Sequence, residues 1–110
     1  MKLQQLRCIY EVVQNQFNIS RAAESIHTSQ PGVSKQIQLL EEEIGVKLFQ
    51  RNGKRLSGLS EPGIRVYESI VEIMREVKNI KNVSDDYERK DSVPLQLQRH
   101  TLKHVTNFQS

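Results

Sequence analysis

Apolar residues recur at helical steps through most of this chain, interrupted once by a short alternating stretch. Leu3, Leu6, Ile9, Tyr10, Val13 and Phe17 stand at three- and four-residue intervals and predict an amphipathic first helix. Asn18 and Ser20 can cap a second, shorter helix whose Ala22, Ala23 and Ile26 face inward. The paired alanines permit close helix–helix approach. A polar break follows at His27-Thr28-Ser29, where Ser29 offers an N-cap and Pro31 falls in the next helix's first turn. Val33, Ile37, Leu40 and Ile44 form the buried stripe of that third helix, and Gly45 is its expected stop. Two helices around a tight polar turn, at about 19–38, form a helix-turn-helix.

The period then changes. Val46-Lys47-Leu48-Phe49 alternates like a short strand, and Asn52-Gly53 is the strongest hairpin signal in the chain. Leu56 and Leu59 resume the apolar return, so two small strands around a basic tip predict a wing. Residues 1–59 are thus expected to be one winged helix-turn-helix domain. Ser60-Glu61-Pro62-Gly63 opens a long helix, predicted over 60–83, with Ile64, Tyr67, Ile70, Val71, Met74 and Val77 on one stripe that reaches Ile80. Twenty residues of helix extend about 30 Å, more than a small winged domain can cover. The stripe therefore predicts dimerisation through Ile64, Tyr67, Ile70, Val71, Met74 and Val77, with packing against the first helix as the competing use. From about 84 the pattern is lost, which predicts a linker and a disordered tail over 84–110. The fold class expected is mainly α: three helices, a two-stranded wing, a long dimerisation helix and that tail.

Composition narrows the function. The chain has 110 residues and a net charge of +3, enough for one small domain and an appended element. Residues 1–60 carry eight basic against five acidic groups, 61–92 carry six against eight, and 93–110 carry two basic and no acidic groups. The basic front half suits a phosphate-rich partner. No apolar run approaches membrane-spanning length, and MKLQQLRCIYEVV lacks the cleavage site of a signal peptide. A single cysteine, Cys8, excludes an internal disulfide and fits a reducing cytoplasm. With no base beside it, Cys8 reads as a small buried residue on the first helix rather than a nucleophile. There are no paired carboxylates in a pocket motif, no nucleophile–base set and no phosphate-binding glycine loop, so an enzyme is not expected.

The third helix carries the candidate chemistry. If it begins near Gln30, then Gln30, Ser34 and Gln38 share one face, Lys35 flanks it, and Val33 and Ile37 oppose it. Glutamine can pair bidentately with adenine, serine serves bases or phosphates, and lysine supplies phosphate charge. The helix N-terminus adds backbone N–H groups and the positive end of its dipole. Arg51, Lys54 and Arg55 at the wing tip are placed to grip phosphates or to enter the adjacent minor groove. Each residue alone is as well explained by a solvated surface. Together with a tight helix pair and a wing, they point to double-stranded DNA.

The stretch AAESIHTSQPGVSKQIQLLEEEIGVKLFQRNGKRLSGLSEPG resembles the N-terminal winged helix-turn-helix of LysR-type transcriptional regulators. The family pattern meets this sequence at Ala22, Ala23, Ser29, Gln30, Pro31, Gly32, Ser34, Gln36, Ile37, Leu40, Glu41, Gly45, Leu48, Phe49 and Arg51. MKLQQLR and TSQPGVSKQ are most similar to the sulfur-assimilation (CysB-like) branch. The resemblance implies a recognition helix beginning at Ser29 or Gln30 with DNA contacts at Gln30, Pro31, Ser34 and Lys35, and Thr28, Ser29 and Gln38 complete the candidate DNA-binding set. It also implies contacts from the wing at Arg51, Lys54 and Arg55, and a dimer through the helix after Ser60. One departure is the usual T-x2-G opening of that helix, which reads Ser60-Glu61-Pro62-Gly63; serine still caps.

The family continues into a two-lobed effector-binding domain, and this chain ends where that domain is expected to start. Restoring one base after the codon for Ser92 allows residues 93–110 to be reread as GTFTIATTHTQARYELPK. That string is similar to the opening of the branch's effector domain, so the tail is expected to be a frameshift product. His100 and His104, four residues apart, are then coincidental, His27 is a packing or surface histidine, and no metal or cofactor is expected. The function expected is a truncated, cytoplasmic, dimeric regulator that binds promoter DNA without a small-molecule effector. The alternatives are a fragment that heterodimerises with, or interferes with, a full-length relative, and an inactive product of a frameshifted gene.

Overall fold

The computed structural model describes residues 1–89. Their order is α1 (Leu3–Gln14), α2 (Ile19–Ser25), α3 (Gln30–Ile44), β1 (Phe49–Asn52), β2 (Arg55–Leu59) and α4 (Glu61–Arg89). Met1–Glu76 form one unit and a second begins at Val77. The core lies within the first. Val12, Ala22, Val33, Ile37, Leu40 and Leu48 are fully buried there, joined by Cys8, Ile9 and Ile70 at 1% exposure. Burial pushes the Cys8 thiol pKa up, so the side chain is a neutral packing group.

Local chemistry sets the ends of the helices. Asn18, rather than Ser20, caps α2: its side chain accepts from Arg21 N–H at 3.0 Å. Ser29 caps α3 by accepting from Gly32 N–H at 3.1 Å, with Pro31 in the first turn. Gly45 closes α3 at φ 91°, a left-handed value that glycine adopts without strain. The turn between α2 and α3 uses His27 at φ 58°, and Phe17 sits at φ 64° in the turn after α1. Phe17 offsets that strain by packing edge-on against Phe49, with ring centroids 6.1 Å apart.

The wing starts three residues later than the alternating stretch predicts. Leu48 is buried, but its N–H donates to Glu41 Oε2 at 2.8 Å and is thereby lost to a strand ladder. β1 and β2 pair antiparallel, with Asn52 opposite Arg55. The two-residue loop is therefore Gly53-Lys54, one position beyond the Asn52-Gly53 signal, with Gly53 at φ 70°. The pairing shifts between Gln50 and Arg51, because Ser57 is an extra residue on β2. Of the wing residues only Phe49 and Leu56 are buried, which leaves the tip in solvent.

α4 is joined to the wing root at close range. Ser60 Oγ donates to the Lys47 carbonyl at 2.6 Å and accepts from Gly63 N–H at 3.0 Å. Gly63 lies so close to Leu48 that a Cβ there would fall 2.0 Å from the Leu48 carbonyl oxygen. Further along, Tyr67 stacks on Tyr10 and its hydroxyl accepts from Gln14 Nε2 at 2.8 Å. Ile70 and Met74, expected on the dimer stripe, are buried in this chain's own core. Of the stripe, Tyr67 is the residue seen against α1, through Tyr10 and Gln14.

The long helix, expected to end at 83, continues through Arg89, so residues 84–89 are helical rather than linker. No glycine or proline occurs between Gly63 and Pro94. Extending a formed helix costs far less than nucleating one, so loss of the apolar stripe does not end it. Residues 90–110, with the frameshift expectation and with His100 and His104, lie outside the described residues. Among the described residues no group of three or more His, Cys, Asp or Glu side chains could hold a metal, and no helix is long and apolar enough to cross a membrane.

Candidate nucleic-acid interface

The interface is built on the first two turns of α3. Val33, Ile37 and Leu40 anchor one side of the helix in the core at full burial. That anchoring presents Gln30, Pro31, Lys35 and Gln38 to solvent and leaves Ser34 half-buried. Thr28 and Ser29, in the preceding turn, are exposed as well. Their hydroxyls flank Gly32, where a Cβ would meet both oxygens at 3.0 Å. The positive end of the α3 dipole lies at this same end of the helix and favours an anionic partner, although Pro31 has no N–H and Gly32 N–H is already bonded to Ser29.

Charge is graded along α3. Lys35 lies in the front half, whereas Glu41, Glu42 and Glu43 follow in the rear half. Gln38 stands at the boundary, with its Nε2 directed at Glu42 Oε2 at 3.4 Å. An anionic partner would be repelled beyond that point. Glu41 serves another purpose, since it is buried at 5% exposure and holds Leu48.

The wing supplies the second component. Arg51, Lys54 and Arg55 are all exposed on β1, the tip and β2. A cleft of about 420 Å³ lies between the wing and the α1–α2 turn with the start of α2, lined by Ser20, Lys54 and Arg55 among others and reached from α3 by Gln30. Gln30, Lys54 and Arg55 are thus brought together, while Arg51 is not part of that lining. Sequence reasoning missed Ser20 as part of this site. It lies on α2, exposed, and its hydroxyl donates to the Gln30 amide oxygen at 2.9 Å. The signal was a serine left uncommitted once Asn18 took the cap, ten residues before a glutamine across a tight helix pair.

Comparison with known proteins gives the arrangement a family. Residues 3–63 match the model of the bacterial regulatory helix-turn-helix protein, lysR family. The HTH-type transcriptional regulator CysB of Burkholderia cenocepacia is 46% identical over 91 residues, which cover 83% of this chain and 29% of that protein. The HTH-type transcriptional regulator SsuR of the same organism is 44% identical over 92 residues, covering 84% of this chain and 30% of that protein. The chain therefore spans just under a third of the length of these curated relatives. Among solved structures, the BenM DNA-binding domain in complex with its benA site 1 DNA has a TM-score of 0.68 at 28% identity, covering 82% of this chain and 99% of that one. Full-length CbnR in complex with its target DNA has a TM-score of 0.65 at 28% identity, covering 77% of this chain and 29% of that one. The four helices, the two-stranded wing and the match over residues 3–63 place this chain in the LysR family of bacterial helix-turn-helix regulators.

Proposed function

We propose that this chain is a sequence-specific DNA-binding module of a transcriptional regulator, acting on promoter DNA in the cytoplasm as a dimer. The carrying observation is the capped N-terminal half of α3, whose polar face presents exposed Gln30 and Lys35 and half-buried Ser34 while its apolar back is locked in the core. In this reading α3 enters the major groove, where Gln30 and Ser34 contact base edges and Lys35 contacts phosphate. Thr28, Ser29 and Pro31 fit against the backbone beside it, Gln38 marks the end of the reading face, and Arg51, Lys54 and Arg55 hold the flanking phosphates or minor groove. The DNA complexes of BenM and CbnR, which share this fold, support the assignment of DNA as the partner.

Dimerisation is assigned to α4. Ile64, Tyr67, Val71 and Val77 remain at least partly exposed, whereas Ile70 and Met74 are committed to the core. A second copy of the chain is the simplest partner for that helix, and a longer relative with the same helix would fit it equally. No small-molecule ligand is assigned.

A gel-shift titration against a duplex selected by the purified chain tests the contact map. Gln30→Ala should weaken binding to the selected duplex by about 1–3 kcal/mol and relax preference at one base pair. Arg51→Ala should weaken binding to all duplexes alike and lower the salt slope by about one. Parental affinity and salt slope in both variants would refute the proposal.

A further inference from the structure

One polar contact inside the interface is not explained by folding alone. Ser20 and Gln30 are both exposed, so neither needs the other to escape a desolvation penalty. Asn18 already caps α2, which leaves the Ser20 hydroxyl without that duty. It donates instead to Gln30 Oε1 at 2.9 Å, and both residues line the cleft between the wing and the start of α2. A free glutamine has three rotatable side-chain bonds and an amide whose two ends differ in hydrogen-bonding sense. Which end faces a base edge decides which base is accepted.

We propose that Ser20 is a positioning residue for base readout: by holding the amide oxygen of Gln30 it turns the Nε2 donors toward the groove. The inference rests on the proposed reading of Gln30 as a base-contacting residue. A bidentate pairing with adenine needs the amide oxygen to accept from N6 while Nε2 donates to N7. With Ser20 on that oxygen, the outward group is a donor pair. Its match in the major groove is a base edge made of acceptors, the O6 and N7 of guanine. Ser20 also removes rotamer freedom from Gln30 before binding, so less ordering is required when DNA arrives. The preference of the site is thus set from α2, by a residue that need not touch a base itself.

The test is selection of duplexes from a randomised pool by the full chain and by variants, scored as base preference at each position. The parent is expected to prefer guanine at one position, and Gln30→Ala should flatten that position alone. Ser20→Ala is expected to lose about three- to tenfold of the discrimination there, the equivalent of one ordinary hydrogen bond, and to gain tolerance for adenine. Its affinity for unrelated duplexes should stay parental, since no phosphate contact is removed. Ser20→Thr keeps the hydroxyl and should restore the preference. In a Gln30→Ala background, Ser20→Ala should have no further effect.

If Gln30→Ala changes preference but Ser20→Ala does not, positioning by Ser20 is wrong and readout by Gln30 stands. If Ser20→Ala acts equally with and without Gln30, its effect does not pass through the amide and the inference fails. If Gln30→Ala leaves all preferences intact, the readout and the positioning fall together. Far-UV circular dichroism identical to the parent separates these outcomes from a folding defect.

Discussion

Glu41 is buried at 5% exposure, a costly position for a carboxylate unless its oxygens are occupied. Oε2 accepts from Leu48 N–H at 2.8 Å, and Lys47 Nζ lies 3.8 Å from Oε1. Lys47 is largely solvated, at 78% exposure, so the ion pair contributes little beside the backbone bond. Truncating the side chain would strand a buried N–H at the root of the wing. Glu41→Ala should therefore lower unfolding stability by about 2–3 kcal/mol, whereas Glu41→Gln keeps an acceptor and should lose about half of that or less. Chemical denaturation of the three proteins is the check, and equal midpoints for Glu41→Ala and the parent would contradict it. Glu41 belongs to the family pattern, but its burial was not legible in the sequence. Spacing assigns it to the edge of α3's apolar stripe, and only the tertiary position of Leu48 gives the carboxylate its partner.

At the scale of elements, the joint between the wing and α4 depends on how closely two backbones approach. Gly63 has no Cβ, and one built there would stand 2.0 Å from the Leu48 carbonyl oxygen, an overlap no side-chain rotation can relieve. Gly63→Ala must displace the first turn of α4 or the Leu48 segment, and Leu48 is held from both sides by Glu41 and Ser60. A loss of about 3 kcal/mol or more is expected, with a lower thermal midpoint and weaker DNA binding. Gly45→Ala is the contrast: nothing lies within 4 Å, so only its left-handed φ of 91° is penalised, by about 1–2 kcal/mol. Unfolding curves that rank the two variants the other way would refute this account of the joint. Helical spacing made α1, α2, α3 and the start of α4 legible, because Ala22, Ala23, Val33, Ile37 and Leu40 repeat at the period their burial requires. The strand register was not legible, because Leu48 bonds to a helix instead of a strand and Ser57 forms a bulge. The polar face at Gln30, Ser34 and Lys35 could be read, whereas Ser20 could not, since its partner is ten residues away and no periodic rule links them.

For the molecule as a whole, association depends on which apolar residues of α4 remain available after the core is filled. Ile70 and Met74 are 1% and 9% exposed, so they cannot also serve a partner. Ile73, Ile80, Val83 and Tyr87 are 38%, 69%, 62% and 62% exposed. Val77 is half-buried and Ile80, three residues on, continues the proposed stripe as an exposed apolar residue. The proposed dimer therefore predicts two separable classes of variant. Met74→Asp should unfold the first unit, because it buries a charge in the core. Ile80→Asp should leave the amide spectrum of residues 1–76 dispersed and parental while weakening self-association by about a hundredfold. Under sedimentation at a concentration where the parent is dimeric, Ile80→Asp should run as a monomer. Its binding to a duplex with two half-sites should then fall to that for a single half-site, because two linked reading heads gain from effective concentration and separate ones do not. A dimeric Ile80→Asp chain would move the interface off this part of α4, and a monomeric parent would remove the dimer from the mechanism.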